Sequence, residues 1–259
     1  MNNAGTAQNP APAGSIVGEM GGNVPEEVRR RLALALDFDD LVVATRWATR
    51  LKSVFGVAKV GMELFSAAGP PGITEFVEQG YRVFADLKLG DIPNTTYRAA
   101  RVVGALGASY LTVHASAGLA SLRAGVEGFA EGAQRAGLAP PAVLGVTVLT
   151  SEAEAPAELV RHRARLSAEA GCAGFVCAAG DLAVATEAAP ELLAVVPGIR
   201  LAGAGADDHG RAATPASAVA GGADLLVIGR AVVAADHPEE AARQVAEEVL
   251  GALTFSGRG

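Results

Sequence analysis

The residues best suited to chemistry stand in one short segment, FADLKLGDIPNTT, which covers residues 84–96. It places Asp86, Lys88 and Asp91 within six positions, directly after an apolar run. Charge at the end of a buried strand costs free energy unless it is paired, and pairing alone rarely repays that cost. The segment therefore indicates either a structural ion-pair network that closes the top of the fold or a reaction that uses these charges.

Spacing supports a shared site for these charges. Asp86 and Lys88 are two residues apart, so on a strand their side chains face the same way. Asp91 falls in a turn before Pro93, a residue suited to the first turn of a helix, where Asp91 could also serve only as a cap. Lys59, at the end of another apolar run, would complete a Lys–Asp–Lys–Asp array. Such an array would keep Lys88 as an ammonium in a dry site, ready to protonate a developing carbanion.

The elements that must position this array alternate along the chain. Short apolar runs are followed by amphipathic stretches of helical period. The runs predicted as strands are 31–37, 56–62, 81–88, 109–115, 142–150, 172–178, 193–199 and 224–229. Eight strand–helix units predict an α/β fold, a single-domain (β/α)8 TIM barrel. An open doubly wound sheet is the alternative, but it usually uses fewer strands.

Polar residues stand at the ends of most predicted strands. In TIM barrels the chemistry lies at the carboxyl ends of the strands. Apart from the third strand, these ends carry Asp37, Lys59, His114, Thr150, Arg200 and Arg230. We interpret His114 as a structural residue rather than a catalyst. The gathering of polar groups on the expected face is the main sequence evidence for an enzyme.

Composition limits the remaining possibilities. The chain has 259 residues, half of them hydrophobic, which suffices for one large core, and its net charge of −7 argues against a nucleic-acid or anionic-membrane partner. No apolar run is long enough to span a bilayer, and the amino terminus does not resemble a signal peptide. We predict a flexible tail at residues 1–25, the barrel at 26–253, and a second flexible tail at 254–259.

The two cysteines, Cys172 and Cys177, lie in an apolar segment without a nearby histidine. We interpret them as buried small hydrophobes, not as metal ligands. Nothing in the sequence suggests a disulfide framework, which fits a reducing compartment. The sequence therefore predicts no metal site and a cytoplasmic location.

Several motifs together resemble one known family. The segment DLKLGDIPNT resembles the D-x-K-x-x-D-I-x-x-T signature of the orotidine 5′-phosphate decarboxylase family. The resemblance extends from about residue 31 to 251 and keeps the family's order. The further matching motifs are ALALD around Asp37, AKVGMELF around Lys59, VTVLTS around Thr150, PGIR and DDHGRAATP across 197–215, and VIGRAV around Arg230.

This resemblance implies a cofactor-free barrel homodimer that converts orotidine 5′-monophosphate (OMP) to uridine 5′-monophosphate (UMP) and CO2, the last step of de novo UMP synthesis. It implies that Lys88 protonates C6 of the pyrimidine and that Asp86 lies against the substrate carboxylate. Lys59 and Asp91 complete the charge array, with Asp91 reaching in from the other subunit. The implied substrate contacts are Asp37 with Lys59 on the ribose, Thr95 on the ribose across the dimer interface, Thr150 on the pyrimidine, and Arg200, Gly229 and Arg230 on the phosphate.

The chain departs from the family pattern at one position. The family has Asp-Asp-Gln in the loop after the seventh strand, and this chain has Asp207, Asp208 and His209. A histidine donates one hydrogen bond, or two when protonated, so His209 could hold the phosphate. The alternative is that His209 points to solvent.

Two other functions remain open from the sequence. One is a metal-dependent sugar-phosphate decarboxylase or aldolase of the same barrel superfamily, related to hexulose-phosphate synthase. The other is a barrel that binds a phosphorylated ligand without turnover. The continuation at residues 92–95 and the segment around Thr150 favour the nucleotide enzyme over the first. The intact set of Lys59, Asp86, Lys88 and Asp91 argues against the second.

Overall fold

The computed structural model describes residues 23–149, 152, 155–201 and 213–256. Its eight parallel strands close into a barrel in sequence order, and β1 hydrogen-bonds to both β2 and β8. The strands are β1 (Leu32–Ala35), β2 (Val57–Gly61), β3 (Arg82–Leu89), β4 (Tyr110–His114), β5 (Ala142–Val146), β6 (Gly174–Val176), β7 (Leu193–Pro197) and β8 (Leu225–Ile228). The prediction of a single-domain (β/α)8 TIM barrel is confirmed.

Helices surround this barrel and connect successive strands. They are α1 (Glu26–Arg29), α2 (Leu41–Leu51), α3 (Met62–Ala68), α4 (Pro71–Glu78), α5 (Pro93–Ala105), α6 (Leu119–Arg135), α7 (Ala157–Glu169), α8 (Leu182–Ala188), α9 (Pro215–Ala220), α10 (Arg230–Val233) and α11 (Pro238–Ser256). Across the described ranges, none of them combines the length and apolar character needed to cross a bilayer.

The predictions of flexible tails have different outcomes at the two ends of the chain. Residues 1–22 of the predicted amino-terminal tail lie outside the described residues, so that prediction stays a prediction. At the other end α11 continues to Ser256, and its last turn overlaps the segment 254–259 that we predicted as a tail. The helix extends this far because Leu250 and Leu253 still pack against the hydrophobic core.

Two apolar layers explain why these runs form strands. All residues of β1, β2 and β8 are buried, because helices cover the outside of the barrel while side chains fill its inside. Valines and alanines dominate the inner layer, with Phe84 and Tyr110 in edge-to-face contact at 6.1 Å between ring centroids. The strands are shorter than predicted at several ends. The fifth, for example, ends at Val146, four residues before the predicted end at residue 150.

Helices α5 and α6 pack unusually closely. A Cβ atom added at Gly128 or Gly132 of α6 would lie far inside van der Waals contact of the carbonyl oxygens of Tyr97 and Arg101 in α5. The same holds for Gly104 of α5 against Phe129. These glycines let the two backbones touch, and the contact holds the helix that begins directly after the Asp91 turn.

We expect Gly132→Ala to destabilise the protein by about 2–3 kcal/mol, because the new methyl group forces two backbones apart. The control is Gly251→Ala in α11, where the added Cβ meets nothing within 4 Å. An alanine there should stabilise the helix by roughly 0.5–1 kcal/mol. Urea unfolding of the three proteins measures both changes. Equal stability of Gly132→Ala and the parent would contradict the close packing.

Candidate active site

The carboxyl ends of β1, β2 and β3 bring four charged side chains into one chain of contacts. Lys59 Nζ lies 2.9 Å from Asp37 Oδ1 and 3.7 Å from Asp86 Oδ2. Lys88 Nζ lies 2.7 Å from the same Asp86 oxygen. The Lys59 side chain is only 9% exposed and the Asp86 side chain 14%. A carboxylate this buried keeps its charge at lower cost when two ammonium groups share it.

The end of β3 is irregular at the position that presents Lys88. The pairing of β3 with β4 shifts register between Ala85 and Leu89. Within this irregularity Lys88 adopts φ 49°, a left-handed conformation that costs a non-glycine residue about 1–3 kcal/mol. Strain of this kind persists only where the surrounding contacts over-determine it, and it is common at functional sites. The strand therefore does not present Lys88 through simple alternation with Asp86, although both side chains reach the same point.

An open cavity of about 450 Å³ occupies this face of the barrel. The charged residues that line it are Asp37, Lys59, Glu63, Asp86, Lys88, Arg200 and Arg230. The two arginines follow the ends of β7, which lies across the barrel from β3, and β8, and Gly229 directly precedes Arg230. The remaining lining is mostly apolar and includes Val146, Val148 and Ile199. Such a cavity suits a ligand with an anionic group at one end and a flat, less polar group at the other.

Asp91 and Thr95 lie apart from this cavity. Both are exposed, and neither lines the cavity of its own chain. Pro93 occupies the first position of α5, as predicted, and the Asp91 carboxylate accepts the backbone N–H of Ile92. The Asp91 carbonyl accepts hydrogen bonds from Thr96 Oγ1 at 3.2 Å and from Ser121 Oγ at 2.7 Å. The Asp91 backbone is thus held firmly while its side chain faces outward.

Two predicted contact residues, Thr150 and His209, lie outside the described residues, as do Asp207 and Asp208. Leu149, next to Thr150, lines the cavity. The predicted roles of Thr150 on the pyrimidine and of His209 on the phosphate stay predictions.

His114 lies half-buried at the end of β4. Burial and the neighbouring Lys88 ammonium lower the pKa of His114. Its ring packs where a side chain at Gly90 would stand, and it does not line the cavity. These contacts favour the structural role that we predicted for it.

Sequence reasoning missed several residues of the site. Met62 and Glu63, at the start of α3, line the cavity directly after the strand that carries Lys59. Thr112 on β4 hydrogen-bonds to both Asp86 and Lys88. A signal for Thr112 was present, since it is a polar residue two positions before His114 in an otherwise apolar strand. This signal could not be interpreted without the register of β3 against β4.

The sequence of this chain matches the model of a known protein family. The model of the orotidine 5′-phosphate decarboxylase / HUMPS family matches residues 30–245, which is most of the chain. The chain belongs to this family. The recognition that rested on the motifs from Asp37 to Arg230 is confirmed.

Relatives within the orotidine 5′-phosphate decarboxylase / HUMPS family are similar over nearly their whole length. A protein named orotidine 5′-phosphate decarboxylase from Paramagnetospirillum magneticum is 43% identical, covering 83% of this chain and 97% of the relative. One of the same name from Parasynechococcus marenigrum is also 43% identical, covering 86% and 95%. The crystal structure of orotidine 5′-phosphate decarboxylase from Lactobacillus acidophilus superimposes with a TM-score of 0.73 at 32% identity, covering 85% of this chain and 99% of that one.

Proposed function

We propose that the protein decarboxylates OMP to UMP and CO2 within pyrimidine biosynthesis. The observation that carries this function is the shared oxygen of Asp86, which Lys88 and Lys59 both approach on the cavity wall. The names of the family's relatives support the same reaction for this chain. The enzyme is accordingly a carboxy-lyase.

The chemistry needs a charge that faces the reacting carbon. Loss of CO2 breaks the bond between C6 and the carboxylate and leaves the electron pair on C6, where no adjacent carbonyl can delocalise it. We assign Lys88 the two tasks that follow: its ammonium stabilises this carbanion and then delivers the proton that forms the C6–H bond. The amine left behind regains a proton from solvent. Asp86 holds Lys88 in place and lies against the departing carboxylate, although ground-state repulsion is a contested source of catalysis.

The opposite side of the cavity suits the phosphate. We assign the phosphate to Arg200, Gly229 and Arg230, because guanidinium groups match the geometry of phosphate oxygens. We assign the ribose to Asp37 and Lys59, which both line the cavity and lie 2.9 Å apart. Binding energy from the phosphate end is then available to lower the barrier at C6. Thr150 on the pyrimidine and His209 on the phosphate complete the proposed contacts.

The contacts of the carboxylates support this reaction over the metal-dependent alternative. A divalent cation such as Mg²⁺ needs free carboxylate oxygens. Asp86 Oδ2 is engaged by two ammonium groups, and Asp37 Oδ1 is engaged by Lys59. These ammonium groups also repel a metal ion. We therefore propose a reaction without a metal or other cofactor.

We further propose a cytoplasmic homodimer in which Asp91 and Thr95 complete the partner's site. Both residues are exposed and lie outside the cavity of their own chain. Ile92, directly after Asp91, is 66% exposed, and Met62, at the start of α3, is 59% exposed. Exposed apolar side chains at this end of the barrel suit an interface that carries the Asp91 carboxylate into a second active site.

Turnover in the presence of a chelator tests the proposed reaction. We expect the purified protein to remove the orotate-ring absorbance of OMP in excess EDTA at the same rate as without it. Activity that disappears in EDTA and returns with Mg²⁺ would favour the metal-dependent sugar-phosphate enzymes. No turnover under either condition, together with tight UMP binding, would favour a binding protein.

A further inference from the structure

Thr112 lies beneath the charged residues, on the strand next to β3. Its side chain is fully buried. Tyr110, Thr112 and His114 share one face of β4, because alternate strand residues face the same side, and Tyr110 belongs to the inner layer of the barrel. Thr112 therefore points into the barrel but does not line the cavity. Its hydroxyl contacts Lys88 and Asp86, which do line the cavity.

The single hydroxyl of Thr112 connects the two residues that the reaction uses. Thr112 Oγ1 donates to Asp86 Oδ1 at 3.1 Å and accepts the backbone N–H of Lys88 at 2.8 Å. A backbone N–H only donates and an ionised carboxylate only accepts. A group that both accepts and donates is needed to join them, and a hydroxyl does so. The other carboxylate oxygen, Oδ2, is left for the lysines.

The irregular end of β3 explains why this connection is needed. Lys88 lies inside the register shift between Ala85 and Leu89, where its N–H donates to the Thr112 side chain rather than to a backbone carbonyl of β4. Its left-handed backbone conformation must be stabilised by such contacts. The Asp86 carboxylate must also be kept from rotating, since rotation would move Oδ2 away from Lys88 Nζ. Thr112 opposes both movements at once.

We propose that Thr112 is a positioning residue for decarboxylation, which fixes the Asp86 carboxylate and the Lys88 backbone so that the Lys88 ammonium stands at the reacting carbon. This inference rests on the proposed function, and it adds a residue that the motif resemblance did not include. It predicts that loss of the hydroxyl at position 112 lowers the rate of the chemical step and leaves binding of the phosphate and ribose nearly unchanged.

The test is the rate of OMP decarboxylation in a single turnover, which avoids masking by slow product release. We expect Thr112→Val, which keeps the shape and removes the hydroxyl, to lower this rate constant by about 10²-fold. Thr112→Ser, which restores the hydroxyl, should stay within about fivefold of the parent. The dissociation constant of UMP should change less than about threefold in both variants, since UMP lacks the carboxylate and keeps its phosphate contacts.

Thr147→Val is the matched structural control. Thr147 is also buried, and its hydroxyl donates to Val176 O at 2.9 Å, without a contact to Asp86 or Lys88. Thr147→Val should lower the melting temperature but keep the rate of OMP decarboxylation.

If Thr112→Val does not fold, Thr112→Ala replaces it with the same expectation. A rate equal to the parent's without the hydroxyl, or a loss in Thr112→Ser as large as in Thr112→Val, would overturn the positioning role. A parent protein that fails to decarboxylate OMP would instead overturn the proposed function.

Discussion

Lys88→Ala should lower kcat/KM for OMP by about 10⁴-fold or more. The substitution removes the proposed general acid, a role that contributes about 10²–10⁴-fold, and the proposed fixed charge at the carbanion, which contributes about 10²–10³-fold. It also leaves Asp86 Oδ2 with only the more distant Lys59, at 3.7 Å. Steady-state decay of the orotate-ring absorbance measures the loss.

Two further variants make this result specific. Lys88→Arg keeps a positive charge at the site, but a guanidinium does not release its proton, so we expect it to remain at least about 10²-fold below the parent. Lys52→Ala is the control, because Lys52 stacks on Tyr81, away from the cavity-lining residues. It should keep full activity. Turnover by Lys88→Ala close to that of the parent would contradict the role of Lys88, whereas UMP binding should persist in all three variants.

The fold was predictable because a parallel barrel leaves a simple trace in the sequence. Its strands are buried on both sides, so they read as short apolar runs, and β1, β2 and β8 are buried at every position. The amphipathic stretches between them supply the covering helices. Since barrel chemistry lies at the carboxyl ends of strands, the polar residues at those ends also predicted which side chains meet. Lys59, Asp86 and Lys88 do meet there.

The irregularity of β3 was not predictable in the same way. Alternation along an ideal strand places Asp86 and Lys88 on one face, and the two side chains do meet. The structure brings them together through a register shift and a left-handed Lys88. Register depends on the neighbouring strand, about two dozen residues further along the chain, so the local sequence pattern does not predict the register shift. Thr112 was missed for this reason. The outward position of Asp91 likewise has no local signature, because its proposed partner is another copy of the chain.

Mixing two inactive variants should restore activity, if Asp91 serves the partner's site. Asp91→Ala alone should lose at least about 10²-fold, since each site then lacks one charge of the array. In a mixed dimer of Lys88→Ala and Asp91→Ala, one site receives both defects and the other receives neither. Random exchange at equal concentrations makes about half of the dimers mixed, each with one intact site of two, so about a quarter of the parent activity should return.

The geometry of a single chain makes this prediction discriminating. The Asp91 carbonyl accepts hydrogen bonds from Thr96 and Ser121, which hold its backbone, and its exposed carboxylate does not line the cavity of its own subunit. Mixing Lys88→Ala with Asp86→Ala is the control, because both residues belong to one chain and line the same cavity. In that control each site carries one defect, since Asp86 and Lys88 act within one chain, so no activity should return. If activity returns in the Asp91→Ala mixture and not in the control, the Asp91 carboxylate must cross the interface. If activity does not return after verified subunit exchange, Asp91 acts within its own subunit.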